Sequence, residues 1–355
     1  MTRRRLVTSL ITGTILVLFA NSCNNAGTGD KNAEVKIVTD LAARKADIII
    51  NNRLFTSYCW TENVYKPVLY PVMSASGTEV TRGFPLKPRL GEQTDHIHQV
   101  GIWLNYGNVN GLDFWGNGSR GVREPGGGVI QHLRIDRLQT NHGEGVLEAS
   151  ANWLTPDNKI LIEEKTEYHF IARGNNRIID RITKLTAKDS AVVFKDTKEG
   201  MFGIRVARQL ELPSKAGVIL IDSTGNPSSS KDTLNTGVSG NYLSSEGVSG
   251  EGVWGTRARW MDLYGIINGE KISIAVCDHP ANPGYPTYWH ARGYGLFSAN
   301  PLGMKDFTAG KEEFNFRIPA KKSATFRYRV IISSGEHLTT DAINALADEF
   351  AKRYK

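Results

Sequence analysis

Long runs of basic residues are absent from this sequence, and so is any second apolar segment long enough to cross a membrane. The formal net charge is +7, but three arginines lie in an acid-free N-terminal segment, so the rest of the chain carries about +4. The other basic residues are scattered among strand-like stretches, and we therefore expect no nucleic-acid partner. After residue 22, no stretch approaches the roughly 18 apolar residues that a membrane span needs.

The N-terminus has the composition of a processing signal. Arg3, Arg4 and Arg5 precede an apolar segment at residues 6–19, which is too short to span a membrane comfortably. The segment ends in LFANSC, and its Cys23 resembles the lipidated cysteine of a bacterial lipoprotein. An ordinary secretory signal with a cysteine nearby is the alternative.

We predict a lipoprotein signal peptide at residues 1–22, a polar tether from lipidated Cys23 at 23–34, and a single folded domain at 35–355. The lipid would be the chain's only contact with a membrane. We therefore expect the protein to be located at the cell envelope, on the periplasmic side or at the cell surface.

Cysteine is scarce beyond that signal, where only Cys59 and Cys277 remain. In an oxidising envelope compartment the two thiols could pair. Both lie in apolar, strand-like runs, which favour buried free thiols equally well. The sequence leaves both alternatives open.

Helical periodicity is rare, and short strand-like segments follow one another with turn signals between them. The predicted strands are 47–51, 54–60, 68–74, 129–136, 146–153, 160–172, 177–185, 192–195, 204–212, 260–267, 270–277, 314–318 and 324–333. The clearest hairpin signal is Asn268-Gly269 between two of them. Many short strands with few helices predict an all-β fold, a large antiparallel β-sandwich.

Three features of the sequence depart from this regular succession of strands. Pro71 interrupts a predicted strand, which indicates an edge position or a bulge. Residues 222–255 are rich in Gly and Ser and are interpreted as a long surface loop beside a binding site. Near the C-terminus, Thr340 is the predicted cap of an amphipathic helix that packs outside the sheets. Its apolar stripe consists of Ile343, Leu346, Ala347, Phe350 and Tyr354.

The richest stretch in chemistry is residues 94–115, TDHIHQVGIWLNYGNVNGLDFW. Residues 99–106 alternate as a strand does, and extending that strand back to Asp95 would put His96 and His98 on one face. Two imidazoles on one face can meet a single metal ion or substrate. The alternative is that both rings are partly buried and hydrogen-bonded to loop carbonyls.

Two further segments also carry candidate site residues. In KEGMFGIR, Glu199 begins a predicted strand and Arg205 lies within it, beside glycines that allow close approach of a ligand. A surface ion pair between them is the alternative. The segment 277–301 gathers aromatic residues with His279, His290 and Arg292. Aromatic faces beside polar groups suit a sugar, although an aromatic-rich loop on the rim of a sandwich would have the same composition.

These motifs, DHIHQVGIW with VNGLDFW, KEGMFGIR and YWHARGYGLFSANP, together resemble a bacterial family that carries the name methane oxygenase PmoA. The resemblance runs from about residue 47 to the C-terminus. A particulate methane oxygenase subunit is an integral membrane protein, so we expect no methane oxygenase activity here. The family is interpreted as one of unknown function. The resemblance implies a secreted or lipidated protein related to sandwiches of carbohydrate metabolism, including galactose-mutarotase-like supersandwiches.

Carried over residue by residue, the resemblance implies a site of His96, His98, Glu199, Arg205, His290, Arg292 and Asn300, together with His279. Neighbouring residues of the same motifs complete the set of candidates. The catalytic candidates are Glu199, Arg205, His290 and Arg292; the substrate-binding candidates are Trp103, Asn105, Tyr288, Trp289 and Asn300; the metal candidates are His96, His98 and His279.

The function expected from these residues is an envelope-anchored enzyme acting on a sugar or glycoside, of lyase, epimerase or hydrolase type. In one mechanism, the histidines hold a divalent metal that polarises a sugar oxygen while Glu199 moves the proton. In the other, a histidine acid and Glu199 transfer protons without a metal. The alternatives are a non-catalytic carbohydrate-binding lipoprotein and, less favoured, a structural envelope protein.

Overall fold

The computed structural model describes residues 29–116 and 126–355, and strands dominate them. In chain order the strands are β1 (Val35–Asp40), β2 (Lys45–Ile50), β3 (Arg53–Cys59), β4 (Val68–Val72), β5 (Ile102–Tyr106), β6 (Val129–Asn141), β7 (Glu144–Leu154), β8 (Ile160–Arg173), β9 (Asn176–Ala187), β10 (Val192–Phe194), β11 (Gly200–Arg205), β12 (Asn241–Ser244), β13 (Trp260–Ile267), β14 (Glu270–Asp278), β15 (Tyr288–Ala291), β16 (Leu296–Asn300), β17 (Phe316–Ile318) and β18 (Ser323–Ser334). The α-helices are α1 (Met304–Phe307) and α2 (Thr340–Arg353).

Sixteen of these strands form two antiparallel eight-stranded sheets. The first sheet has the order β1-β2-β3-β4-β5-β11-β16-β15, and the second has the order β12-β13-β14-β18-β9-β8-β7-β6. Strands β10 and β17 pair separately. Among the described residues, no helix is long and apolar enough to cross a membrane.

The two sheets pack face to face around one core. Phe202 of the first sheet stacks on Tyr328 of the second with ring centroids 4.7 Å apart. Alternation along each strand places the core residues, as in β2, where Ala46, Ile48 and Ile50 are buried and their neighbours are half-buried. The predicted all-β antiparallel sandwich with a C-terminal helix is confirmed.

Turn chemistry also behaves as the sequence predicts. Asn268 and Gly269 both have positive φ, 51° and 83°, the conformation that a two-residue type I′ hairpin needs. They join β13 to β14 in register. Pro71 lies in β4, which is an interior strand, and the register shift occurs opposite it in β3. The bulge interpretation of this proline is therefore confirmed, and the edge interpretation is wrong.

Three local predictions need correction. Thr339, not Thr340, caps helix α2, because its side chain accepts a hydrogen bond from the Ala342 amide. The predicted strand 204–212 is displaced: β11 ends at Arg205, and a 3₁₀ turn follows at Arg208–Leu210. The region 222–255 is not one loop, since it contains β12, the edge strand of the second sheet, and a 3₁₀ turn at Gly250–Val253.

The outer faces of the two sheets are used differently. Helix α2 covers part of the second sheet, where Ile343 and Phe350 pack with Trp260 of β13. On the first sheet, a smaller apolar cluster surrounds Trp103 and Trp115. That outer face of the first sheet carries the candidate site.

Candidate functional site

A row of cross-strand neighbours forms the floor of the site. Trp103 of β5 pairs with Gly203 of β11, Gly203 pairs with Ser298 of β16, and Ser298 pairs with His290 of β15. Directly paired residues lie on the same face of a sheet. Because Ile102, Leu104 and Phe202 point into the core, this row faces outward.

Gly203 makes room for the Trp103 ring on this floor. A Cβ atom at position 203 would lie 2.6 Å from that ring, far inside van der Waals contact. Asn105, two residues along β5, fixes the indole by accepting the Trp103 Nε1–H at 3.0 Å. Asn105 and Trp103 are both fully buried. They therefore support the site from beneath.

Asp95 is the centre of the charged part of the site. Its Oδ1 accepts a hydrogen bond from Arg82 Nη1 at 2.7 Å and from Arg205 Nη2 at 2.6 Å. Both guanidinium groups are essentially inaccessible to solvent. Arg205 also donates to the Gln99 side chain at 2.6 Å. Two buried cations therefore share one carboxylate.

His96 occupies the other oxygen of that carboxylate, because its Nδ1–H donates to Asp95 Oδ2. Burial by itself would raise the pKa of Asp95, but this hydrogen bond and the charges of Arg205 and Arg82 outweigh burial and hold the pKa well below its ordinary value. Asp95 is thus a permanent anion that orients the His96 ring. Sequence reasoning did not select Asp95, although it directly precedes the HIH motif.

The two histidines of that motif do meet, although not on a strand. Residues 95–101 form no strand, and a turn from His96 to Gln99, with positive φ at His96, brings the rings to a centroid distance of 5.8 Å. His96 stacks on Tyr294 with centroids 4.9 Å apart and planes 3° apart. Burial, with the charge of Lys66 as the next cause, lowers the pKa of His98 to about 3, so its ring is neutral.

His290 is held at the other end of the floor. Its Nδ1–H donates to the Lys198 carbonyl at 2.7 Å, and burial lowers its pKa to about 4. Asn300 supports the same segment by donating to the Lys198 carbonyl at 2.9 Å. Glu199 forms an ion pair with Lys198 at 2.9 Å. The alternative pair between Glu199 and Arg205 is not formed, because Arg205 is engaged by Asp95.

Lys66 lies beneath this floor. Its ammonium donates to the His98 carbonyl at 2.6 Å and lies 5.4 Å from the centre of the Trp103 ring. Burial lowers its pKa to about 7, against the opposing charge of Asp113. Lys66 therefore ties the histidine turn to β5. No motif in the sequence distinguished it from a surface lysine.

A cavity of about 520 Å³ opens beside the charged cluster. Its walls include Asp95, Glu211, Glu251, Trp254, Arg292 and Tyr294. The Arg292 guanidinium lies 5.9 Å from the ring centres of both Trp254 and Tyr294. Strand β15 ends at Ala291, and the turn that follows places Arg292 beside Tyr294.

Of three further sequence-predicted site residues, Trp289 and His279 lie elsewhere, whereas Tyr288 shares the outer face of β15 with His290 but is covered. Trp289 faces the core between the sheets and donates to the Ala258 carbonyl, so its ring cannot stack on a ligand. Tyr288 is buried between Phe307 and the Arg257 guanidinium. His279 packs against Phe350 of helix α2, on the second sheet.

The placement of His279 separates it from the other two metal candidates. In residues 29–116 and 126–355, no three His, Cys, Asp or Glu side chains are grouped so as to hold a metal ion. The residues therefore do not fit the predicted three-histidine metal site.

Cys59 and Cys277 are both buried free thiols. Cys59 belongs to β3 of the first sheet, and Cys277 belongs to β14 of the second. Burial raises the pKa of each thiol to about 12. The disulfide alternative is therefore wrong, and neither thiol is reactive.

The fold and this face define an all-β sandwich with a histidine, arginine and aromatic site. Residues 45–348 match a family of unknown function, DUF6807, and the chain belongs to that family. No curated protein matches this chain.

Three solved structures have remote similarity to this chain. The galactosidase domain of the alpha-galactosidase-sucrose kinase AgaSK is 9% identical with a TM-score of 0.37, and the match covers 88% of this chain and 43% of that one. The Slr1438 protein from Synechocystis sp. PCC 6803 is 13% identical with a TM-score of 0.30, over 88% and 99% of the two chains. The GH36 alpha-galactosidase AgaB from Geobacillus stearothermophilus is 9% identical with a TM-score of 0.30, over 87% and 42%.

This chain spans about two fifths of the length of the two alpha-galactosidase chains it matches. At these TM-scores, the similarity supports no assignment of function.

Proposed function

We propose that this protein binds a saccharide in the cavity beside Asp95 and acts on it by acid–base chemistry through His96. The observation that carries the proposal is the Asp95–His96 pair. Two buried arginines anchor its Asp95 in the wall of the cavity, and its His96 stacks on Tyr294 of the same wall. Each part has a chemical role, and the roles are complementary.

The His96 ring is oriented as a general base needs to be. An ionised carboxylate only accepts hydrogen bonds, so Nδ1 carries the proton and the neutral ring has its lone pair on Nε2. The His96 side chain is 42% exposed, which leaves Nε2 open to a substrate. A carboxylate behind a histidine also stabilises the imidazolium that forms when Nε2 takes a proton.

The cavity walls favour a sugar over a purely apolar ligand. Trp254 presents a ring against which the C–H face of a pyranose can pack. Tyr294 lies in the same wall, in contact with the His96 ring and the Arg205 guanidinium. Arg292 lies between the Trp254 and Tyr294 rings and makes no ion pair among the described residues, so its N–H groups are open to hydroxyl or carboxylate oxygens. We assign Arg292 to binding and Arg205 to positioning of Asp95; the catalytic roles predicted for Glu199 and His290 stay predictions.

Replacement of His96 by glutamine separates catalysis from binding. We expect turnover to fall by about 10²–10⁴-fold, the usual loss of a general base, while saccharide affinity changes little, because Arg292, Trp254 and Tyr294 remain. The measurement is calorimetric binding and NMR-detected turnover over a panel of neutral and acidic sugars and their methyl glycosides.

His142→Gln is the matched control, since His142 is an exposed histidine in the β6–β7 hairpin of the second sheet, and it should alter neither quantity. Binding without turnover by the wild-type protein would favour the non-catalytic sugar-binding lipoprotein. Absence of any saccharide binding would contradict the proposal.

We also propose that the protein is anchored to the cell envelope through Cys23, which lies outside the described residues. Cys23→Ser should abolish incorporation of a clickable palmitate analogue and move the protein from the membrane to the soluble fraction, because no acyl-accepting thiol remains at the end of the apolar segment. Asn25→Ser is the control and should keep both properties. Labelling that persists in Cys23→Ser would rule out this anchor.

A further inference from the structure

Glu211 is a buried carboxyl group in the wall of the same cavity. It directly follows the 3₁₀ turn at Arg208–Leu210, and it is 2% exposed. Asp95 and Tyr294 line the same cavity, so Glu211 belongs to the neighbourhood of the Asp95–His96 pair. Nothing in the sequence distinguished this residue, because a lone glutamate within a predicted strand is ordinary.

The two oxygens of Glu211 have different surroundings. Oε2 accepts hydrogen bonds from Arg208 Nη1 at 2.8 Å and from Gln93 Nε2. Oε1 is buried and has no hydrogen-bond partner among the described residues. A buried polar atom without a partner is costly. Because Oε2 already accepts two donors, a proton on this carboxyl group resides on Oε1.

Gly295 packs against the buried side chain of Glu211. Gly295 follows Tyr294, and a Cβ atom added there would lie 3.6 Å from Oε1. Its φ of +89° also disfavours any residue with a side chain. Glu211 therefore presents its unpartnered oxygen towards the turn that carries Arg292 and Tyr294.

The protonation of Glu211 agrees with this geometry. Burial raises the pKa of Glu211 to about 6, against the opposing charge of Arg205. An ordinary glutamate has a pKa near 4.3 and is ionised under the same conditions. The carboxyl group thus still carries a proton at mildly acidic pH.

We propose that Glu211 is the general acid of this site and protonates the leaving oxygen of a glycoside through Oε1. This inference rests on the proposed function, and it narrows the substrate class to compounds with a glycosidic C–O bond. The reaction it implies is hydrolysis, with His96 as the base and Glu211 as the acid.

The proposed hydrolysis transfers two protons while one bond forms and one breaks. His96 Nε2 removes a proton from water, and the water oxygen forms a bond to the anomeric carbon. The bond from that carbon to the leaving oxygen breaks, and its electron pair stays on the oxygen. That oxygen takes the proton from Glu211 Oε1. His96 ends protonated and Glu211 ends ionised, and exchange of protons with solvent restores both groups.

The experiment compares substrates that differ in their need for a proton. Methyl glycosides have a poor leaving group, whereas 2,4-dinitrophenyl glycosides have one that departs unprotonated. In Glu211→Gln we expect kcat/KM to fall by at least about 100-fold for methyl glycosides and by less than about 10-fold for dinitrophenyl glycosides. Glu246→Gln is the matched control, since Glu246 is exposed and is not among the residues that line this cavity, and it should leave the ratio unchanged.

The pH profile of the wild-type protein tests the role of Glu211 as general acid without a mutation. For methyl glycosides, kcat/KM should fall as the pH rises through about 6, because the acid form of Glu211 is lost there. For dinitrophenyl glycosides, this alkaline limb should be absent.

The contrary results distinguish failure of the role of Glu211 from failure of the proposed function. Equal losses on both substrates in Glu211→Gln, or the same alkaline limb with both, would overturn the role of Glu211. Binding of sugars without cleavage of either glycoside by the wild-type protein would overturn it too and leave saccharide binding standing. Absence of binding would remove the proposed function as well.

Discussion

Asp95→Asn should lower the free energy of unfolding by about 2–3 kcal/mol and abolish turnover. The substitution keeps the shape of the side chain and removes its charge. Arg82 and Arg205, which share that charge, would remain buried and 2.6–2.7 Å from a neutral amide. An uncompensated buried cation is strongly destabilising, and the partial exposure of Asp95, 30% of its side chain, keeps the loss below that of a fully buried pair.

The loss of turnover has a separate cause. Without the carboxylate, nothing requires His96 to carry its proton on Nδ1, and the imidazolium that forms during proton transfer loses its counter-charge. Chemical denaturation measures the first effect, and NMR-detected turnover on the saccharide panel measures the second.

A double-mutant cycle with Arg205→Met tests the shared-charge explanation. If two cations compete for one carboxylate, the stability lost in Asp95→Asn should be partly regained in the double variant, because one buried charge has been removed with its partner. Asp47→Asn is a matched control, since Asp47 pairs with the half-exposed Lys45, and such pairs contribute about 0–1 kcal/mol. An Asp95→Asn protein as stable as the wild type would contradict this account.

Asp180→Asn should have the largest effect on stability alone, a loss of about 3–5 kcal/mol in the free energy of unfolding. Arg329 of β18 binds Asp180 of β9 through two hydrogen bonds, at 2.6 and 2.8 Å, and both side chains are fully buried. The charge of Asp180 outweighs burial and raises the pKa of Arg329. The asparagine would leave that guanidinium buried with much of its charge uncompensated.

This pair also joins the second sheet to helix α2. Arg329 donates to the Leu346 carbonyl at 3.0 Å, and Tyr354 donates to Asp180 Oδ2 at 3.0 Å. Loss of the pair should therefore loosen the helix, and hydrogen exchange of the α2 amides should rise with the fall in global stability.

The control for this prediction is on the same helix. Asp348 pairs with Arg259 at the surface, with half of its side chain exposed, so Asp348→Asn should cost less than about 1 kcal/mol. A similar small loss in Asp180→Asn would show that Glu349, which also contacts Arg329 at 3.1 Å, compensates the charge by itself.

Local patterns in the sequence predicted most of the fold. The strands alternate because one face of each sheet is buried, and β13 has the predicted limits, while β14 differs by one residue. The Asn268-Gly269 hairpin follows from the backbone freedom of two residues. The helix α2 follows from an apolar stripe, although its cap is shifted by one residue. These features depend on neighbours a few positions apart.

The sequence predicted segments of the candidate site but not how they come together. Residues from four of its segments, around positions 82, 95, 205 and 290, are far apart in the chain and meet only because β5, β11, β16 and β15 are adjacent in the first sheet. Trp289 and His290 illustrate the limit. Both lie in a strand that is buried on both faces, so no alternation in hydrophobicity reveals which of them points outward.

What the sequence by itself determined about this protein is its strand periodicity, its turns, its C-terminal helix and the three motifs that carry the candidate site. Only the tertiary structure decided that Asp95 orients His96, that His279 lies on the other sheet, and that Glu211 lines the cavity. The physical reason is that charge pairing and burial depend on which strands become neighbours. That choice is made by packing of the whole core, and no short segment records it.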